Sequence, residues 1–394
     1  MKRILFYSEN FCGPKVKGGL EVATYRIAKA LHDKCKYEVF AAFRSKTFDG
    51  DRSVYTDVIS LKKAPGRFQK DLARFIKQNE IDIVVNMSRF YRHNKIVEAI
   101  KESGRDIKVV FMQHFAPGSE IKKAKWSSGY HLLKLNPFNP LYWLRSSIYP
   151  LLKLPRRLAF SKVYKDTYEK SDRVVLLSEG YIEDYCKIAG LSETDKFRSI
   201  PNIYEREDRE DNSAKTMKRV LVLSRMDEIQ KRISLALRVW AEIEKDLDLS
   251  DWHLDIVGSG HNSDIVRRLV KKLKLKNVTL HGWQPRDKFL KESSILISTS
   301  EYEGEPLSII EAQAHGVVPI AFNSYASLKD VVSHYENGVV VENFGDIEDF
   351  VLKLKDLMYD DDYRKEFSDN AISNVSKFSS ENIVKKWDEM LLNL

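Results

Sequence analysis

Cysteine is scarce in this chain: Cys12, Cys35 and Cys186 are three among 394 residues. They are far apart and odd in number, which argues for a reducing compartment rather than a disulfide framework. Their spacing does not match a zinc site. No apolar run approaches the ~20 residues that a helix needs to span a bilayer. After Met1-Lys2-Arg3 only Ile-Leu-Phe-Tyr precedes Ser8, too short for the apolar core of a signal peptide. The expected location is therefore cytoplasmic, with the inner face of the cell membrane as a place of peripheral contact. G-x-G-x-x-G, P-loop and G-x-S-x-G patterns are all missing. There is no solenoid repeat and no low-complexity tract. The triplet Asp360-Asp361-Asp362 is read as a solvated turn between helices, and no metal site is expected.

Acidic residues are missing from one long stretch. Between Ile121 and Lys165 there are ten Lys/Arg and no Asp or Glu. The whole chain carries +8, so everything outside the stretch sums to −2 (8 − 10). The stretch also holds Trp126, Tyr130, Phe138, Tyr142, Trp143, Tyr149, Phe160 and Tyr164. Lys and Arg near an anionic bilayer contribute about 1 kcal/mol each, and amphipathic aromatics favour the headgroup level. Three readings stand open for residues 121–165. They are contact with an anionic membrane surface or a lipid-linked acceptor, packing on the first domain, and binding of single-stranded nucleic acid by charge and stacking. A nucleic-acid partner is not expected.

What is present is a twofold alternation of short β-rich runs and helical patterns. The runs in the first half are Arg3–Ser8, Tyr37–Phe43, Ile81–Met87, Lys108–Gln113 and Arg173–Ser178. In the second half they are Arg219–Leu223, His253–Val257, Val278–His281, Ile295–Thr299, Val317–Phe322 and Gly338–Glu342. Continuous apolar runs of this length suit buried parallel strands. Between them lie helical patterns such as Glu21–Leu31, where Ala23, Ile27, Ala30 and Leu31 share a face. The pattern predicts an α/β protein of two doubly wound domains, residues 1–205 and 206–378. The boundary falls in the polar, aperiodic run from Ile203 to Lys218. Residues 119–165 are expected as an insertion in the first domain, and 379–394 as an amphipathic terminal helix.

The richest stretch is SEYEGEPLSIIEAQAHGVVPIAF, residues 300–322. Glu303 and Glu311 lie eight apart, with a helix start between them and a buried strand after. Unpaired N–H groups at a helix start attract phosphate, here near Pro306, Leu307 and Ser308. Pro306 suits the first turn, Ile309, Ile310 and Ala314 offer an apolar side, and Gly316 is a plausible stop. A solvated acidic loop before an ordinary core helix is the alternative. Upstream, Arg225 and Lys231 sit six apart on a loop leading into a helix. Two cations at a helix start oppose its dipole unless an anion lies between them, and a diphosphate would resolve that conflict.

The Glu-x7-Glu spacing resembles the signature of glycosyltransferase family 4, retaining enzymes with the GT-B fold. The outer glutamates, Gly304 and Pro306 match the family's run; Glu305 stands where an aromatic residue is usual. Lys17-Gly18-Gly19-Leu20-Glu21 resembles the family's first glycine loop, although a plain turn reads equally well. The Arg225…Lys231 loop also matches, with Ser224 in place of a common glycine. Gly258 and Gly260, and Gly282-Trp283-Gln284, resemble two further loops. Trp283 is read as a stacking residue or, more ordinarily, as a buried aromatic at a strand end. His114, closing a strand, matches a histidine that touches donor sugar or acceptor, or is a hydrogen-bonded structural group.

The resemblance implies two Rossmann-like domains facing a central cleft, with the terminal helix crossing back to the first. It implies metal-independent transfer of a hexose from a nucleotide diphosphate sugar, a UDP-sugar, with retention and without a cofactor. The acceptor would be a hydroxyl of a glycan or lipid-linked molecule in cell-surface polysaccharide or lipopolysaccharide synthesis. Catalytic roles fall to Arg225, Lys231, Glu303 and His114. Donor contacts fall to Gly18, Gly19, Gly258, Gly282, Trp283, Glu305, Pro306, Leu307, Ser308 and Glu311. A non-catalytic sugar-nucleotide or polymer-binding subunit and a GT-B epimerase are the alternatives.

Overall fold

The computed structural model describes residues 2–14, 19–44, 52–61, 67–122, 126–205 and 217–394. The chain divides into two compact units. One comprises Met1–Gly118, Pro155–Glu205 and Lys377–Leu394; the other comprises Ser119–Leu154 and Arg206–Ser376.

The first unit is built on a seven-stranded parallel sheet. Its strands are β1 (Arg3–Tyr7), β2 (Glu38–Phe43), β3 (Asp57–Ser60), β4 (Ile83–Asn86), β5 (Lys108–Gln113), β6 (Arg173–Leu176) and β7 (Phe197–Ser199), in the order β3-β2-β1-β4-β5-β6-β7. Side chains alternate across it, as the two-residue period of a strand requires. Ile4 and Phe6 enter one core with the helix Gly19–Cys35. Leu5 and Tyr7 enter another with the helices Arg67–Gln78 and Phe90–Ser103. The terminal helix Ser380–Leu392 belongs to this unit: Ile383, Val384, Trp387 and Leu391 complete the first core. Tyr37 donates to Asp388 at 2.6 Å and Lys2 to the Leu391 carbonyl at 2.6 Å.

The second unit holds a six-stranded parallel sheet of β8 (Arg219–Leu223), β9 (His253–Val257), β10 (Val278–Gly282), β11 (Ile295–Ser298), β12 (Val318–Phe322) and β13 (Val339–Val341). Their order is β10-β9-β8-β11-β12-β13. The chain moves outward from β8 to β10, then restarts at β11 on the other side of β8. Open α/β sheets bind ligands at the carboxyl ends of the strands where the order reverses in this way. One structural neighbourhood differs from expectation. Residues 119–154, expected with the first domain, fall in the second unit. The reason is local packing: Leu132 is buried with Ile229 and Ile265, and Tyr142 leans on the same cluster. Both units match the α/β, two-sheet fold class expected from the sequence. Of the expected boundary run 203–218, residues 206–216 lie outside the described residues.

Candidate active site

The loop after β8 is wound tightly. Asp227 Oδ1 accepts the N–H groups of Ile229 at 3.0 Å and Gln230 at 3.2 Å, and the Lys231 N–H donates to the Asp227 carbonyl at 2.7 Å. Arg232 takes the left-handed conformation, φ 51°, and opens the helix Ile233–Ile243. Such a backbone costs energy for a non-glycine residue and persists only where neighbours fix it. Here the Thr299 hydroxyl donates to the carbonyls of Lys231 and Arg232 at 2.9 and 3.0 Å, and the Arg232 guanidinium pairs with Glu301. The loops after β8 and β11 are thereby laced together.

Lacing brings the expected charges into one line. Lys231 Nζ pairs with Glu303 Oε1, and Gln230 Nε2 donates to Glu303 Oε2 at 3.0 Å. Arg225 donates to Gln230 Oε1 at 3.0 Å. The Lys231 and Glu303 side chains are only 15% and 10% exposed, so water screens this pair little. A recess beside it is lined by Leu223, Ser224, Lys231, Thr299 and Ser308, at the carboxyl ends of β8 and β11.

The helix Leu307–Ala314 opens at this recess. Pro306 is its cap residue rather than its first helical one, and its carbonyl accepts from Ile309 at 2.8 Å. Beyond the helix, Gly316 takes φ +67°, where a side chain would be strained. Glu303, Glu305 and Glu311 are all buried. The reading of a solvated acidic loop is therefore corrected: the loop folds inward because its carboxylates find partners. Glu311 is paired with Arg286 at 2.7 Å.

Gly258 serves its neighbours. It has φ +136°, and a Cβ there would lie 1.9 Å from the Ser224 carbonyl oxygen. A Cβ on Gly260 would lie 2.5 Å from the Met226 carbonyl oxygen. The two glycines let the β9 loop press against the loop that bears Arg225. The Gly258 N–H donates to the Gly282 carbonyl at 2.7 Å, and Gly282 itself, φ +69°, has open space around it. Trp283 is 66% exposed, which overturns the reading of a buried aromatic.

In the first unit, His114 follows β5. Its Nε2 is buried without a hydrogen-bond partner among the described residues, and burial pushes the imidazole down to about 4. It is neutral near pH 7, able to exchange a hydrogen bond but not to act there as a cation. Gly19 begins the helix Gly19–Cys35; Gly18 lies outside the described residues. Asp360, from the acidic triplet, caps the helix Asp361–Asn374 by accepting the Tyr363 N–H at 2.8 Å.

Sequence reasoning missed Gln230, Arg286, Glu228 and His131. Gln230 bridges the two cations' loop to Glu303, and Arg286 orients Glu311. Glu228 is fully buried three residues before Lys231; it accepts the Ser234 N–H at 2.9 Å and lies 3.2 Å from His131 Nε2. Its place between Arg225 and Lys231 was the available signal.

Comparison with known proteins agrees with this architecture. Residues 17–208 match the family model described as Glycosyltransferase Family 4, and residues 204–374 the model described as Glycosyl transferases group 1. An uncharacterized glycosyltransferase of Haemophilus influenzae is 32% identical over 165 residues, 41% of this chain and 45% of that protein. The poly(glycerol-phosphate) alpha-glucosyltransferase of Bacillus subtilis is 26% identical over 232 residues, 58% of this chain and 33% of its own length. The poly(ribitol-phosphate) alpha-N-acetylglucosaminyltransferase of Staphylococcus aureus is 32% identical over 160 residues, 40% and 32% of the respective chains. The match thus spans less than half the length of each of these relatives. Among solved structures, Anabaena HepE in complex with UDP aligns over 100% of both chains at 16% identity, with a TM-score of 0.72. Staphylococcus aureus TarM, in complex with UDP, Fondaparinux and alpha-GlcNAc-glycerol, aligns over 99% of both at 15% identity, with a TM-score of 0.72. The chain has the GT-B fold. Glycosyltransferase family models match it from residue 17 to residue 374, each over a little less than half of the chain.

Proposed function

We propose that this chain is a retaining, metal-independent hexosyltransferase of glycosyltransferase family 4. It would move the sugar of a UDP-sugar to a hydroxyl of a glycan or lipid-linked acceptor in cell-surface polysaccharide synthesis. One observation carries the reading: the buried Gln230 and Glu303 connect Lys231 and the exposed Arg225 in one line beside the opening turn of Leu307–Ala314. The relatives' names, which include polymer glycosyltransferases, support the pathway.

The chemistry follows from charge. As the glycosidic bond breaks, negative charge grows on the departing diphosphate. Arg225, Lys231 and the helix opening at Ser308 stabilise charge at that point without a metal ion. Lys231 then trades its carboxylate partner for phosphate, and Glu303, still held by Gln230, is free to accept from the sugar hydroxyls. Glu311, oriented by Arg286, anchors the ribose. Glu305, in place of an aromatic, sets donor preference. Retention would follow from attack on the face the diphosphate leaves. His114, neutral, contributes a hydrogen bond to sugar or acceptor.

The test is nucleotide release. The chain is incubated with a panel of UDP- and GDP-sugars and glycan acceptors, and the product's anomeric configuration is read by NMR. The expected result is acceptor-dependent UDP release with retention. Nucleotide binding with no release would leave a binding subunit, and donor conversion without acceptor would mark an epimerase.

A further inference from the structure

The acid-free stretch runs through two helices, Trp126–Leu135 and the longer Pro140–Glu169, which have one side accounted for and one side not. The inner side is anchored: Leu132 and Leu133 are buried, and Tyr142 packs on the cluster of Leu132, Ile229 and Ile265. On the outer side, Leu141 is 67% exposed, Leu144 55% and Ile148 42%. Spacings of three and four residues put these three on one helical face. Phe138, in the turn just before, is 93% exposed. Scattered exposed apolar side chains need no explanation, but a contiguous apolar stripe on an otherwise charged protein does.

We propose that this face docks on an anionic lipid surface. Charge decides among possible occupants. Residues 121–165 carry ten cations and no acid. A second copy would set two such cation-rich, acid-free segments against each other. Single-stranded nucleic acid would match the charge, but bases stack on aromatic faces, and the stripe is mostly aliphatic. Anionic headgroups answer the cations while the acyl boundary accepts leucine, isoleucine and phenylalanine. Among the described residues no helix is long and apolar enough to cross a membrane, so the stripe would lie in the interface. This inference does not rest on the donor-site reading, and its test uses no nucleotide.

The experiment is sedimentation of the full chain with vesicles of phosphatidylcholine, with and without phosphatidylglycerol, across a salt series. Binding is expected on the phosphatidylglycerol vesicles at low salt and should weaken as salt shortens the screening length. Removing two cations, Arg156→Gln with Arg157→Gln, should weaken it about twenty-fivefold, about fivefold per charge. Leu141→Glu with Leu144→Glu should abolish it while the circular dichroism spectrum stays that of the parent, because both side chains are exposed. Sedimentation velocity and a single-stranded oligonucleotide are run alongside. Three results would overturn the proposal: no binding to anionic vesicles at low salt, a dimer that the Leu141/Leu144 variant dissociates, or oligonucleotide binding with no vesicle binding.

Discussion

Lys231 and Glu303 share a pair that is almost dry, beside the recess to which the proposed function assigns the diphosphate. Removing a group that stabilises developing charge costs about 3 to 4 kcal/mol of barrier, or 10²–10³ in rate. Lys231→Ala should therefore lower UDP release by that factor. It should also lower the melting temperature, because the largely buried Glu303 carboxylate loses its cation. A variant with near-parental release would remove the phosphate clamp. His93 makes a second prediction. It is buried between Asn86 and Ser171, and burial holds its imidazole down to about 4. The unfolded chain takes up this proton near 6.5 and the folded chain only near 4, so stability must fall as pH drops through that window. The loss is about 3 kcal/mol, and urea midpoints of the parent and His93→Gln should converge toward its acid end. The cations and carboxylates of the site were legible because charge at a helix start needs a partner. Gln230 and Arg286 were not: a neutral amide carries no such signal, and Arg286 meets Glu311 only through the fold. Trp283 misled because an apolar ring at a strand end reads as core.

Strands buried on both faces announce themselves as apolar runs, and all eleven expected runs contain a strand. The two that escaped, β3 and β7, are short edge strands, and β3 is exposed at both ends of its four residues. Edge strands bury little, so their sequences need not be apolar. Gly258 and Gly260 show what a loop requires that a motif does not state. Gly258→Ala would force a methyl group into the Ser224 carbonyl. It should cost about 4 kcal/mol or more and disturb the Arg225 loop with it. Gly282→Ala, left-handed but with open space, should cost about 1 to 2 kcal/mol. Equal losses in chemical denaturation would contradict this account of the β8–β9 loops. In the terminal helix, Trp387→Ala should cost about 3 to 5 kcal/mol, since its ring is fully buried. Trp387→Phe should cost less, because the indole N–H has no acceptor among the described residues.

The chain's last residues belong to the core of its first unit, while the segment 119–154 belongs to the second. Sequence periodicity showed the terminal helix to be amphipathic and predicted two domains. It assigned the basic segment to the first domain because proximity along the chain was the only guide; Leu132 and His131, which fix its place, look ordinary in the sequence. Each unit has its own apolar core. Deleting residues 380–394 removes Trp387 and Leu391 from one core only, so calorimetry should show one transition lowered and the other little changed. The most direct test of the whole reading is a crystal structure with UDP bound. The account predicts the diphosphate within hydrogen-bond reach of Lys231 and the opening turn of Leu307–Ala314, with the ribose at Glu311. Nucleotide bound elsewhere, with the Lys231–Glu303 pair intact and that recess empty, would contradict it.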